Sequence, residues 1–225
     1  MFPGQPVMSE IATNTSIPDY GWESGEAEAS HDYLQPVVLA TVRACLPAAS
    51  ATPRVFDAGC GNGALLRKLQ LSGYEVSGCD ASESGVAQAR KLCGDSVRVE
   101  RLSVYDNLSE VFGSHWDVVV STEVVEHLYA PRDFIRQAHR LLRPGGALIL
   151  STPYHGYLKN LALAATGALD HHFTALWDGG HIKFWSYRTL KQLLSEFGFS
   201  QFSFAGAGRL PWLWKSMVVV TRKPE

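Results

Sequence analysis

Apolar residues recur along this chain in two alternating periods. Residues 30–46 place Tyr33, Val37, Val38, Thr41 and Val42 at helical spacing, and the pattern stops before Pro47. Beyond that point short β-branched runs and amphipathic stretches take turns. Arg54–Asp57 reads as a strand, Ala64–Leu71 as a helix, Glu75–Cys79 as a strand and Glu83–Leu92 as a helix. Val97–Glu100 and Asp117–Ser121 read as strands, the second of them buried. Asp133–Leu142 sets Phe134, Ala138, Leu141 and Leu142 on one helical face. Arg143-Pro144-Gly145-Gly146 is then expected to break the chain before the apolar strand Ala147–Ser151.

Strands that alternate with helices at this spacing form βαβ units, hence a parallel sheet covered on both faces. The end of the chain departs from that rule. Tyr187–Phe197 is helical, Gly198 stops it, and Phe199–Ala205 and Lys215–Arg222 follow as two strands with no helix between them. Such strands pair antiparallel. The expected fold is α/β, a doubly wound and mostly parallel seven-stranded sheet that ends in an antiparallel hairpin. Thr152 to Ser186, after the fifth strand, is too long for an ordinary connection and reads as a helical insertion that covers a site.

Length and composition narrow the picture further. The 225 residues suit one domain over 30–225, preceded by a mobile tail, 1–29, whose first part is rich in Pro, Ser, Thr and Asn. With 46% hydrophobic and 19% charged residues the chain has material for a large core. A net charge of −2 without any Lys/Arg run provides no field for nucleic acid. Cys45, Cys60, Cys79 and Cys93 show neither C-x-x-C pairing nor metal-ligand spacing, and are expected to be reduced thiols in a cytoplasmic protein. No signal-peptide pattern and no membrane-length apolar run is seen. Oligomeric state is not legible.

The chemistry concentrates in Val55-Phe56-Asp57-Ala58-Gly59-Cys60-Gly61-Asn62-Gly63-Ala64, a strand that passes through Asp-x-Gly-x-Gly-x-Gly into a helix. Alternate glycines allow a tight turn and close approach of backbone to a ligand, and the helix start adds N–H donors. Asp57 leans the other way, toward a ligand with a positive centre. Asp80 closes the next strand, where an acidic residue accepts hydrogen bonds from ribose hydroxyls. A nucleotide-like cofactor with a cationic centre is S-adenosylmethionine rather than NAD, and the terminal hairpin also argues against an NAD-binding sheet.

On these residues, and on Trp116-Asp117-Val118-Val119-Val120-Ser121 and Leu141-Leu142-Arg143-Pro144-Gly145-Gly146-Ala147-Leu148, the chain resembles the class I S-adenosylmethionine-dependent methyltransferases. The resemblance covers residues 30–225. It implies that the loop from Gly59 through Cys60 and Gly61 to Gly63 holds the methionine part of the cofactor through backbone atoms, that Asp80 holds the ribose, and that Asp57, Ala81 and Ser121 also bind the cofactor. Members usually carry an acidic residue after the third strand for the adenine. Here that position is Ser103, with Asp106 three residues on, so Ser103 and the backbone of Val104 are the expected contact.

Glu123-Val124-Val125-Glu126-His127 follows the fourth strand. If it starts a helix, Glu123, Glu126 and His127 share a face and could act as acid and base or bind a divalent metal. The alternative is a helix start favoured by its carboxylates, with His127 packed below the cofactor. The segment resembles that of ubiquinone-biosynthesis O-methyltransferases, which implies a metal held by Glu123, Glu126 and His127, and a phenolic or quinone-precursor acceptor. His127 and His181 are the candidate bases, His155 a third. The insertion also carries Tyr154, Tyr157, His171, His172, Trp177 and Trp185, residue types that suit a flat aromatic acceptor. Leu161–Leu169 has no charge. The same resemblance implies a membrane-contacting surface here, but the stretch is expected to be a buried lid helix. A sugar, polyketide or amine acceptor, or a non-catalytic cofactor-binding protein of the same fold, are the competing functions.

Overall fold

The computed structural model describes residues 31–46, 52–173, 176 and 180–225. The expected tail, Pro47 and Trp177 lie outside the described residues, as does the side chain of His171. The elements run α1 (His31–Cys45), β1 (Arg54–Ala58), α2 (Ala64–Leu71), β2 (Glu75–Asp80), α3 (Glu83–Cys93), β3 (Arg98–Arg101) and α4 (Leu108–Phe112). They continue as β4 (Trp116–Thr122), a 3-10 turn at Val125–His127, α5 (Pro131–Leu141), β5 (Leu142–Pro153), α6 (Tyr157–Ala165) and α7 (Leu169–Phe173). The chain closes with α8 (Tyr187–Ser195), β6 (Ser200–Ala207) and β7 (Ser216–Arg222).

The seven strands lie in the order β3-β2-β1-β4-β5-β7-β6. β1 to β5 are parallel, while β7 runs antiparallel between β5 and the edge strand β6. Strand order therefore reverses between β1 and β4, which opens a crevice at their carboxyl ends. The expected doubly wound sheet with a terminal hairpin is what the chain forms.

Side-chain alternation along each strand divides the core between two faces. Val55, Val118, Val120 and Ile149 pack with Leu34, Val38 and Val42 of α1 and with Leu65, Leu66 and Leu69 of α2. Phe56, Val119, Leu148 and Leu150 pack with Phe134, Ile135 and Leu141 of α5 and with Leu190, Leu193 and Leu194 of α8. On this second face Phe56 meets the ring edges of Phe112 and Trp116, with centroids 4.8 and 5.3 Å away.

Two local readings change. Arg143-Pro144-Gly145-Gly146 does not interrupt the strand, because β5 runs continuously from Leu142. Trp116 pairs with Leu142 and Val118 already with Ala147, so the extra residues bulge out of register. Gly146 is needed there: a Cβ would stand 2.9 Å from the Arg143 carbonyl oxygen and 3.1 Å from that of Trp116. The short helix α4 also escaped the sequence reading, since only Leu108 and Phe112 of its five residues are buried and no period can show.

Asp117 ties this region together. Its Oδ1 accepts from Arg143 Nε at 2.7 Å and its Oδ2 from the backbone N–H of Arg54 at 2.9 Å, so one carboxylate joins the bulge to the start of β1. Hydrogen bonds to a charged group contribute about 1.5–3 kcal/mol each when partly buried. Asp117→Ala is therefore expected to lower the thermal midpoint by at least about 6 °C, since two such bonds amount to roughly 3 kcal/mol or more at roughly 2–4 °C per kcal/mol for a domain of this size. Scanning calorimetry checks this, and an unchanged midpoint would refute the staple.

Candidate active site

The glycine turn is held from below by the end of β2. The backbone N–H groups of Gly59 and Cys60 both donate to the Cys79 carbonyl, at 2.8 and 3.0 Å. The N–H of Gly61 donates to Asp80 Oδ2 at 2.8 Å, and that of Ser82 to Asp80 Oδ1 at 2.8 Å. These two bonds fix the orientation of the Asp80 carboxylate at the mouth of the crevice. Gly59 (φ 81°) and Gly63 (φ 82°) lie in the left-handed region, and added Cβ atoms would collide with Val124 at 2.5 Å and Ala89 at 2.7 Å. The turn thus needs glycine for conformation and for packing.

Asp57 sits beneath the turn, only 1% exposed, and its Oδ1 has no hydrogen-bond partner. Burial pushes this carboxyl up to about 8, and the nearby Asp80 charge adds to the shift. A buried, unpartnered acidic oxygen and an oriented carboxylate under a glycine turn fit a ligand that brings hydroxyls and positive charge to this edge. Asp57, Gly59, Cys60, Gly61, Asp80 and Ala81 are brought together here. Leu102 N–H bonds to the Asp80 carbonyl at 3.0 Å, which sets Ser103 and Val104 beside the same edge. Ser103 is occupied locally: its N–H donates to Asp106 Oδ2 and its Oγ accepts from Tyr105 N–H. Ser121 faces inward, 1% exposed, with its hydroxyl on the Ala58 carbonyl at 2.6 Å.

On the acceptor side, Glu123 does not start a helix. It follows β4 directly with φ 54°, and only the 3-10 turn Val125–His127 comes after it. Glu123, Glu126 and His127 therefore do not share a helical face. The Glu123 carboxylate accepts from Ser151 Oγ at 2.8 Å and Ser216 Oγ at 3.3 Å, and Ser216 Oγ in turn lies 3.2 Å from the Tyr33 hydroxyl. Glu126 is fully buried, with neither carboxylate oxygen hydrogen-bonded. Desolvation raises both carboxyls, and in Glu126 the neighbouring Glu123 raises it further.

The 3-10 turn also anchors the insertion. The Glu126 carbonyl accepts from the N–H groups of Ile182 and Lys183 at 3.0 and 2.9 Å, and the Val125 carbonyl from Trp185 Nε1 at 3.1 Å. This returning segment brings His181 onto His127, ring centroids 4.9 Å apart and edge to face. One ligand atom from each of Glu126, His127 and His181 then falls within 4.8 Å of the others. His127 Nδ1 lies 3.2 Å from the Gly180 carbonyl oxygen. A carbonyl only accepts, so Nδ1 carries the proton and Nε2 is the basic nitrogen. Burial, then His127 and His172, lower His181 to about 4. His155 is likewise lowered to about 4, first by burial and then by Lys159, and packs against His172, Phe173 and Phe184.

The rest of the insertion divides into wall and surface. Tyr154 packs edge to face on Trp214, a structural role. The uncharged stretch does not form a buried lid. It belongs largely to α6, whose Tyr157, Leu158 and Leu161 are 88, 60 and 66% exposed. Among the described residues no helix is long and apolar enough to cross a membrane. Tyr33, Ser151 and Ser216 join the site without any signal in the sequence, because each arrives from a different element.

These groups make stability depend on pH. A carboxyl raised on folding keeps a proton that the unfolded chain has lost, so its contribution disappears as pH rises through the folded value. Asp57, at about 8, acts this way with Glu123 and Glu126. The lowered histidines act in the opposite sense, but only below the ordinary histidine range of about 6.5. The ligand-free protein is therefore expected to lose on the order of 2 kcal/mol between pH 6.5 and 8. Asp57→Asn should flatten that fall and weaken cofactor binding at least tenfold. Thermal melts across this range check both points, and an equal slope in the variant would refute the assignment.

Comparison with known proteins places this architecture. A family model described as a methyltransferase domain matches residues 30–202. A ubiquinone biosynthesis O-methyltransferase from Ruegeria pomeroyi is 38% identical over 117 residues, 51% of this chain and 46% of that protein. The match thus spans about half the length of this relative. The protein of the same description from Xanthomonas oryzae pv. oryzae is 37% identical over 164 residues, 71% of this chain and 66% of its own. Among solved structures, magnesium protoporphyrin IX methyltransferase from Synechocystis with bound SAH aligns with a TM-score of 0.62 at 20% identity, covering 89% of each chain.

Proposed function

The chain belongs to the class I S-adenosylmethionine-dependent methyltransferases, and from that premise we propose that it transfers the methyl group to a phenolic oxygen of a small acceptor. The observation that carries the reading is the convergence of Glu126, His127 and His181 at the carboxyl end of β4, next to the strand-order reversal. The relatives named ubiquinone biosynthesis O-methyltransferase support oxygen as the acceptor atom.

In this reading the turn from Gly59 to Gly63 and the Asp80 carboxylate hold the cofactor's methionine and ribose portions, with Ala81, Ser103 and Val104 on the remaining side. Asp57, beneath the turn, offers its unpartnered Oδ1 to the cofactor, and Ser121 acts by holding β4 against β1 through Ala58. When bound, S-adenosylmethionine supplies an electrophilic methyl on a sulfonium. The chain's own work is to align the acceptor oxygen and remove its proton. A phenol has an ordinary pKa near 10, so a base beside it makes a competent nucleophile near neutral pH. His127 serves best, since its tautomer is set by Gly180 and its Nε2 is basic. His181, lowered to about 4, holds a proton poorly and acts as a neutral neighbour that orients His127.

Glu126, His127 and His181 would also hold a divalent cation, with His181 in the place the sequence assigned to Glu123. Two imidazoles and one carboxylate suit a transition ion better than Mg²⁺. Such an ion would lower the pKa of a phenol bound to it. The unpartnered Glu126 carboxylate fits this role, because a cation would take the place of the proton that burial imposes.

Calorimetry should show micromolar binding of S-adenosylhomocysteine and none of NAD. With a catechol acceptor, His127→Ala should lower kcat by about 10²–10⁴-fold, the usual contribution of a general base, with S-adenosylhomocysteine affinity unchanged. Wild-type turnover in that variant would remove His127 from the mechanism. In the same assay, loss of turnover in chelator and recovery with Mn²⁺ or Zn²⁺ supports the metal, whereas full turnover leaves His127 acting alone.

A further inference from the structure

The two edges of the sheet differ in how they meet their surroundings. An edge strand leaves half of its N–H and C=O groups without a ladder partner. Charges, short length and bulges keep such an edge from pairing with another chain. β3 is protected in this way: of its four residues, Arg98-Val99-Glu100-Arg101, three are charged. β6, the opposite edge, runs for eight residues, Ser200–Ala207, and contains neither a charge nor a proline. Gln201, in the left-handed region at φ 55°, shifts the register between Ser200 and Ser203 and leaves Ser203–Ala207 in regular pairing with β7. Among the described residues, no strand pairs with the outer side of this stretch.

The surface beside that edge extends the available contact. On the face that carries α1, a groove of about 740 Å³ runs between the helix and β6. Pro36, Val37, Ala40 and Ala44 form its helical wall, and Ser203 and Ala205 its strand wall. These side chains are small or apolar, and Pro36, Ala40, Ala44 and Ser203 are exposed. Arg222 is the charge that lines the groove, and its guanidinium is held by the Gly145 and Cys45 carbonyls at 2.9 and 3.2 Å. On the other face Lys191 lies over the Phe202 ring, 5.2 Å from its centroid, beside the bulge. The regular stretch Ser203–Ala207 itself projects no charge.

We propose that β6 pairs antiparallel with β6 of a second copy of this chain and joins the two sheets into one across a two-fold axis. Such an axis sets residues near their own copies, so a charged edge would repel itself and an uncharged one does not. Centred on Ala205, the pairing places Ala205 opposite Ala205 of the partner subunit and Ser203 opposite Ala207 of the partner subunit. The side chains that meet beside the groove are thus small, and the strands can approach to ladder distance without obstruction. A bare strand edge covers less than the roughly 800 Å² per partner of a standard interface, and the α1 wall of the groove supplies further surface. β7, β5 and β4 separate β6 from β1, so the pairing leaves the cofactor turn untouched.

The test is sedimentation velocity on the full chain from about 1 to 100 µM, a range that spans micromolar dissociation constants. The wild type should sediment as a dimer at the upper end. Ala205→Lys and Ala205→Glu each set like charges opposite one another and should weaken association at least tenfold. Their equimolar mixture sets opposite charges together and should regain it. Ser203→Lys, at an exposed position, should weaken association as well and decides if the Ala205 variants fail to fold. Affinity for S-adenosylhomocysteine should keep its wild-type value in every variant. A wild type that stays monomeric at the highest concentration overturns the proposal and leaves the edge to a different partner. A dimer that survives in all three variants overturns it too, because the interface then lies elsewhere. Loss in both Ala205 variants without recovery in the mixture overturns the pairing of Ala205 with its own copy.

Discussion

Everything in this molecule that handles a ligand depends on the end of β2 holding the turn that follows β1. Two N–H groups, those of Gly59 and Cys60, share the Cys79 carbonyl, and the Gly61 N–H takes one oxygen of Asp80. The turn cannot relax without breaking these bonds, and the Asp80 carboxylate cannot rotate. Binding surface and binding group are thus set by one arrangement, which removes ordering cost from the moment a ligand arrives. Val124 closes the turn from the other side, at 2.5 Å from where a Cβ on Gly59 would stand. The glycine turn and the segment that carries Glu126 and His127 are therefore in direct contact.

The site is assembled against the interests of the fold. Asp57 and Glu126 are buried carboxyls with unpartnered oxygens, and Glu123 is a non-glycine residue with positive φ. Each is unfavourable alone, and such features persist where the surroundings over-determine them. Here the surroundings are the two layers of apolar packing against the sheet, with Phe56, Val119, Leu148 and Phe134 on one face and Val55, Val120, Leu66 and Val38 on the other. Local instability of this kind is the expected companion of a site that recovers its free energy from a bound partner.

The insertion after β5 is held by a very short element. Three residues, Val125–His127, present two carbonyls that accept three N–H groups from the segment 182–185. That docking delivers His181 to His127. A helix here would have used those carbonyls internally, so the 3-10 turn is what leaves them open to the returning chain. The β6–β7 connection meets the insertion through Lys159, whose Nζ donates to the Lys215 carbonyl at 3.4 Å, so three separated parts of the chain come together here.

Much of this was legible in the sequence, and the reason is locality. Periods of two and 3.6 residues placed the strands and most helices, because a side chain's face is set by its immediate neighbours. Asp57, the glycine turn and Asp80 were readable because their contacts run between adjacent strand ends of one βαβ unit. The β5 bulge at Arg143–Gly146 was not, since it requires the Asp117 carboxylate on another strand. Nor was the inward turn of Ser121, which depends on the Ala58 carbonyl being within reach. The grouping of Glu126 with His127 and His181, in place of Glu123, was decided by the packing of the insertion alone. Sequence by itself determined the sheet, its order of helices and the cofactor turn, because short-range patterns encode them. Tertiary structure alone decided which acids and bases come together, because those contacts join residues whose separation along the chain carries no information about their distance in space.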